Sequence, residues 1–180
     1  MTLIATTSRL EIRSWEVSDV YRLCALTREP GLSEFSISGY KDFSEEHARH
    51  WIESEAQRFK SSRLGKFAVV LKDSAQLIGI SGLFQMPVEN QGDLESCDVE
   101  LNYRFPVARR GQGFGIEAAS AIVNYGFHTL ALTEINGIVE GHNFPSKKIL
   151  DRLGMKRKGT LLFKGMSFEH WHICRKHEAL

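Results

Sequence analysis

The stretch Arg110-Gly111-Gln112-Gly113-Phe114-Gly115 constrains this chain more than any other. Three glycines at alternate positions leave the backbone without Cβ atoms, and a helix pattern starts directly after them. Ile116, Ala119, Val123, Phe127 and Leu130 recur at steps of three and four, giving one apolar stripe that must face a core. The first amides of a helix have no partners inside it and lie at the positive end of its dipole. A glycine loop opening onto such an end can wrap a diphosphate, and Arg109 and Arg110 add charge.

Several loops share this look. Walker A is excluded, because no Gly-Lys-Ser/Thr follows. A dinucleotide fingerprint fits Gly113, Gly115 and Ala118, with Glu140 at a strand end beyond. Against it, the segment 106–112 separates the preceding strand from the glycines, and too little chain follows Glu140 for a doubly wound sheet. A helix start that uses glycine only for packing stays open on the loop alone.

The segments around the loop read as alternating α and β elements. Leu10 and Ile12 alternate with charged neighbours as a short strand, and Ser18-Asp19 starts a helix carrying Val20, Leu23 and Leu26. Ser44, with Glu45 and Glu46 behind it, opens a second helix with Ala48, Trp51, Ile52 and Phe59 as its apolar positions. Segments 66–72 and 76–86 read as an antiparallel hairpin turning near Asp73-Ser74, and 89–96 as a loop. Strand 97–105 places Val99, Leu101, Tyr103 and Phe105 on one face and Asp98, Glu100, Asn102 and Arg104 on the other. A strand over 134–140 follows, then a helix with Pro145 in its first turn and Gly154 at its end. Strands near 160–164 and 168–176 close the chain.

At 180 residues the chain is read as a single domain over 1–180, able to bury roughly 70% of its unfolded surface. A net charge of +1 gives no argument for nucleic acid or an anionic membrane surface. Cys24, Cys97 and Cys174 are odd in number and far apart, which fits a reducing compartment. With no basic-then-apolar leader and no spanning segment in view, the expectation is a cytoplasmic protein, a monomer or homodimer.

Four segments together resemble the GCN5-related N-acetyltransferases (GNAT), most closely the branch of ribosomal-protein N-terminal acetyltransferases and spermidine acetyltransferases. Ser8 to Arg13 followed by Asp19 resembles that branch's opening strand and helix; Asp98 to Tyr103 resembles its acid-bearing strand. Arg110 to Gly115 resembles the Q/R-x-x-G-x-G/A signature for the CoA pyrophosphate. Asn143-Phe144-Pro145-Ser146, with Leu153-Gly154-Met155, resembles the segment beside the pantetheine arm. The resemblance implies a mixed, mostly antiparallel α/β fold of about six to seven strands and four helices, acetyl-CoA as cosubstrate, and an amine as acceptor. Two departures stand out: Asn102 replaces a glycine common in the family strand, and Leu150 sits where spermidine acetyltransferases carry a tyrosine.

On that resemblance Glu100 is the expected base and Ser146 the group that protonates the leaving thiolate. Phe105, Val107, Arg109, Arg110, Gly111, Gln112, Gly113, Phe114, Gly115, Asn143 and Ser146 form the expected acetyl-CoA contacts, with backbone N–H groups of 105–107 polarising the acetyl carbonyl. Read without the resemblance, Glu100 is a solvated strand carboxylate and Ser146 and Asn143 are helix-start residues. The acceptor is expected to be a protein or peptide N-terminus; a small amine (polyamine, aminoglycoside or amino acid) and a CoA-binding domain without turnover are the alternatives. Glu89, Asp93, Glu95 and Asp98 form an acidic run that a cationic acceptor could meet. His170, His172 and Cys174 share a strand face but lack a fourth ligand at metal spacing, so no metal is expected.

Overall fold

The computed structural model describes residues 1–34, 42–85, 99–163 and 165–175. Within them the chain runs β1 (Leu3–Thr6), β2 (Leu10–Arg13), α1 (Val20–Arg28), α2 (Glu45–Ser62), β3 (Gly65–Leu71), β4 (Leu77–Gln85) and β5 (Val99–Arg104). It continues through α3 (Phe114–Asn124), β6 (Glu134–Glu140), α4 (Phe144–Arg152), β7 (Lys156–Phe163) and β8 (Met166–Cys174). The strands make one sheet in the order β1-β2-β3-β4-β5-β6-β8-β7. Every neighbouring pair is antiparallel except β5 with β6. The expected mixed, mostly antiparallel sheet with four helices is therefore present, and β1 is the strand that the sequence pattern did not announce.

Helices cover both faces, and the side-chain alternation of β3 shows why. Val69 belongs to a cluster with Leu10, Ile12, Ala118, Ile122 and Leu150. Its neighbours Ala68 and Val70 belong to a second cluster with Val20, Leu23, Ala48 and Ile52. A strand buried on both faces needs a continuous apolar run, and Phe67 to Leu71 supplies it. The first cluster lies under α3 and α4, the second under α1 and α2. Each fully buried Leu, Ile or Phe in them contributes about 1.5–3 kcal/mol.

Local chemistry sets the helix ends. Ser44 accepts a hydrogen bond from the His47 amide at 3.1 Å, so α2 starts where its cap residue predicts. Before α1, Arg13 and Asp19 form a two-pronged buried ion pair, with N–O distances of 2.6 and 2.8 Å. α3 passes into a π-helical turn over Tyr125–Thr129. Tyr125, Gly126 and Phe127 are all buried there, three in a row, which a regular 3.6-residue period does not deliver. Gly126 allows it, because a Cβ at that position would stand 2.7 Å from Ile135 and 2.9 Å from Leu83.

Candidate active site

Among the described residues β5 and β6 are parallel and register at one pair, Glu100 with Asn136. No pair follows it toward the C-terminal ends of the two strands, so this is where the sheet opens. Registered partners put their side chains on the same face, so Glu100 and Asn136 flank one side of the opening. Tyr103 sits on the opposite face of β5 and packs against the cluster under α3 and α4.

The Glu100 carboxyl is pushed up to about 8. Burial is the cause, and the charges of Lys66 and Arg104 only partly offset it. A carboxylate near neutrality is matched to accepting a proton at working pH.

On the other face, the Tyr103 hydroxyl lies 2.7 Å from Ser146 Oγ and 3.3 Å from the Ser146 carbonyl oxygen. Burial raises the pKa of Tyr103, Ser146's hydrogen bond lowers it, and the nearby Glu100 charge raises it. The phenol therefore stays protonated and can donate. Ser146 is placed by the start of α4. Asn143 Oδ1 accepts from the Ser146 amide at 3.2 Å, capping the helix, and Pro145 occupies the first turn. Leu150, one turn on, is 2% exposed and belongs to the core. The sequence pattern assigned Tyr103 to an apolar face and did not mark it as functional. Its partner lies 43 residues away, and no local spacing signals such a pair.

The glycine loop leaves β5 through a 3₁₀ turn at Val107–Arg109 and enters α3 at Phe114. Gly111 and Gly113 have φ of +75° and +82°, values that side-chain-bearing residues rarely adopt. A Cβ at Gly111 would meet nothing within 4 Å, and one at Gly113 would stand 3.2 Å from the Arg9 guanidinium. Gly113 is the N-cap of α3 and offers no side chain to its first amides. Those of Phe114, Gly115 and Ile116 are thus available to an anion. Gly115 lets α4 approach, since a Cβ there would stand 2.9 Å from Ile149.

Both loop arginines have partners. Arg109 donates to Gln76 Oε1 at 2.6 Å. Arg110 donates to Glu34, to the Gly31 carbonyl and to the Phe105 carbonyl, tying the loop to the segment after α1. Gln112 donates to the Ala108 carbonyl at 2.8 Å, folding the loop on itself. Arg9, which the sequence pattern did not single out, reaches the loop from the β1–β2 turn. It donates to the Gln112 carbonyl at 3.0 Å, pairs with Glu117 at 2.6 Å and lies 4.4 Å from the centre of the Phe114 ring.

Residues 9–156 match the model of the family described as the acetyltransferase (GNAT) domain. The chain belongs to this family. It is 30% identical over 156 residues to the uncharacterized N-acetyltransferase p20 of Bacillus licheniformis, covering 86% of this chain and 83% of that one. Among solved structures it resembles RimL, a ribosomal L7/L12 alpha-N-protein acetyltransferase solved with coenzyme A. That match has a TM-score of 0.79 and 13% identity, over 96% of this chain and 97% of the other. It also resembles the ribosomal-protein-S5-alanine acetyltransferase of Vibrio fischeri, with a TM-score of 0.75 and 15% identity over 97% and 98% of the two chains.

This GNAT protein is thus an N-acetyltransferase with acetyl-CoA as cosubstrate. Its glycine loop fits the pyrophosphate of that cosubstrate, with two left-handed glycines, an uncapped helix start and open space at Gly111. The histidine set divides. His170 Nε2 pairs with Asn136 Oδ1 at 2.7 Å. His172 and Cys174 instead lie 3.3 and 3.6 Å from Glu134, whose other oxygen is 3.7 Å from the Lys158 ammonium. Among the described residues no helix is long and apolar enough to cross a membrane.

Proposed function

We propose that this protein acetylates the free amino group of a peptide or protein N-terminus, with Glu100 as base and Ser146, backed by Tyr103, as acid. The observation that carries the reading is the disposition about β5. Glu100 stands on one face and the Tyr103–Ser146 pair on the other, at the point where β5 parts from β6.

Acetyl-CoA supplies the acyl group as a thioester. The glycine loop and the first amides of α3 hold its diphosphate, with Arg109 nearby, while Arg110, Gln112 and Arg9 hold the loop in shape. An alkylammonium, with a pKa near ~10.4, must lose a proton before it can attack, and an N-terminal amine near ~7.7–8.0 loses it more readily. Glu100 takes that proton. The amine nitrogen then bonds to the acetyl carbon and gives up its second proton to solvent, the carbon–sulfur bond breaks, and the departing thiolate takes a proton from Ser146 Oγ, which solvent restores. Tyr103, 2.7 Å away, holds the serine hydroxyl in place. Pro106 has no N–H, and the Val107 N–H donates to the Pro30 carbonyl at 2.8 Å. Within that segment Phe105 is therefore the residue whose amide serves the acetyl carbonyl.

Leu150 supports the peptide over spermidine, because it is a buried core residue where the spermidine branch carries a phenol. The solved relatives of like fold that act on ribosomal proteins point the same way. The acidic run at Glu89, Asp93, Glu95 and Asp98 lies outside the described residues. Thiol release with acetyl-CoA, measured over peptides with small first residues and over spermidine, tests the choice. A higher kcat/KM for the peptides is expected, and efficient turnover of spermidine with every peptide ignored would reverse it.

A further inference from the structure

Asn102 is 9% exposed, and its Oδ1 has no hydrogen-bond partner among the described residues. Buried acceptors are nearly always satisfied, so one left unpaired calls for an explanation. Its backbone is held in place by Ser81, whose Oγ donates to the Asn102 carbonyl at 3.0 Å. The side chain follows Glu100 by two residues on β5 and therefore shares its face of the sheet. The two Cα atoms are about 7 Å apart at strand spacing. Side chains converging from that separation can place both oxygens within about 2.9 Å of one nitrogen.

From this juxtaposition we propose that Asn102 Oδ1 is the second anchor of the acceptor amine, a subsite selecting primary amines. The assignment rests on the reading of Glu100 as base. An ammonium group carries three N–H donors. Glu100 takes one proton, Asn102 Oδ1 accepts from a second N–H, and the lone pair that remains is aimed by those two contacts at the acetyl carbon. A secondary amine, once deprotonated, has one N–H left. It must then choose between the Asn102 contact and productive rotation. A buried polar atom without its partner costs stability in the resting protein, so the site trades stability for recognition of the amine.

Two variants test this on the full chain, with a short peptide bearing a free N-terminal serine as probe. Asn102→Leu keeps the volume and removes the acceptor oxygen. Its KM for the peptide should rise about tenfold, the scale of one lost hydrogen bond, while acetyl-CoA affinity stays unchanged and Tm rises. Wild-type preference for the peptide over its N-methylated form should shrink in the same variant. Asn102→Asp keeps an oxygen there and should retain the peptide KM. An unchanged KM in Asn102→Leu would overturn the proposal, as would equal losses in both variants or a parallel loss of acetyl-CoA affinity. A wild-type protein that binds acetyl-CoA but acetylates no amine would instead defeat the underlying acetyl-transfer assignment of Glu100, and Asn102 with it.

Discussion

The Tyr103 hydroxyl lies 2.7 Å from Ser146 Oγ, joining strand β5 to the first turn of helix α4. This contact holds the serine hydroxyl at one place, and burial keeps the phenol protonated beside it. Tyr103→Phe should lower kcat about threefold to tenfold, the worth of one hydrogen bond. Ser146→Ala should cost a similar factor, and the double variant little more than either single one, because the two act in series. Strictly multiplicative losses would show that they work independently.

Glu100, the proposed base, also bears on stability. Burial holds its pKa up to about 8 in the folded protein, against about 4.3 in the unfolded chain. Between these values the folded state binds the extra proton, so this group's contribution to stability declines as pH rises through the window. Glu100→Gln removes the titration. Its Tm should match the wild type below about pH 4 and exceed it by a growing margin up to about pH 8. A constant difference across that range would mean that the carboxyl is not buried as described.

Gly113 and Gly111 are predicted to differ. Gly113→Val forces a β-branched residue to a φ of +82° and brings a Cβ to 3.2 Å from Arg9. Strain of about 1–3 kcal/mol at the loop should weaken acetyl-CoA binding about tenfold to a hundredfold. At Gly111 a Cβ meets nothing within 4 Å, so Gly111→Ala carries backbone strain alone and should bind more tightly than Gly113→Val. Titration calorimetry reads both.

Asp19 and Arg13 hold the entry to α1, with Asp19 only 1% exposed. Burial alone would raise the Asp19 pKa, but the bonds from Arg13 and the Glu16 amide, with the Arg13 and Arg22 charges, bring it below its usual value. Asp19→Ala leaves a guanidinium buried without its carboxylate and should cost about 3–5 kcal/mol. Because the folded pKa is depressed, this stabilisation is complete above the unfolded pKa of about 3.9 and fades as pH falls through the folded value. Urea unfolding at pH 7 and pH 3 checks the sign.

The parts of the fold set by short-range pattern were legible in the sequence. Ser44 and its acidic neighbours marked the start of α2, and strict alternation marked β5. β1 was not legible, because Leu3 to Thr6 has no alternation and is defined by pairing with β2. The first four residues of β7, Lys156 to Gly159, likewise read as polar chain until β8 pairs with them. In the candidate site, the glycines stand out by residue type and spacing, whereas Glu100 and Ser146 are singled out only by the resemblance of their segments to the family. Tyr103 and Arg9 are not, since each acts on a residue more than 40 positions away. Asn143 shows the reverse: its side chain caps α4, the plain structural role its residue type suggests.

The most direct test of the account is single-turnover acetyl transfer by Glu100→Gln, with wild-type protein alongside, at saturating acetyl-CoA and a peptide bearing a free N-terminus. The substitution keeps the shape of the side chain and removes its basicity. Transfer should slow by about 10²- to 10⁴-fold at pH 7, with acetyl-CoA affinity retained. Transfer at the wild-type rate would contradict the assignment of Glu100 as the base.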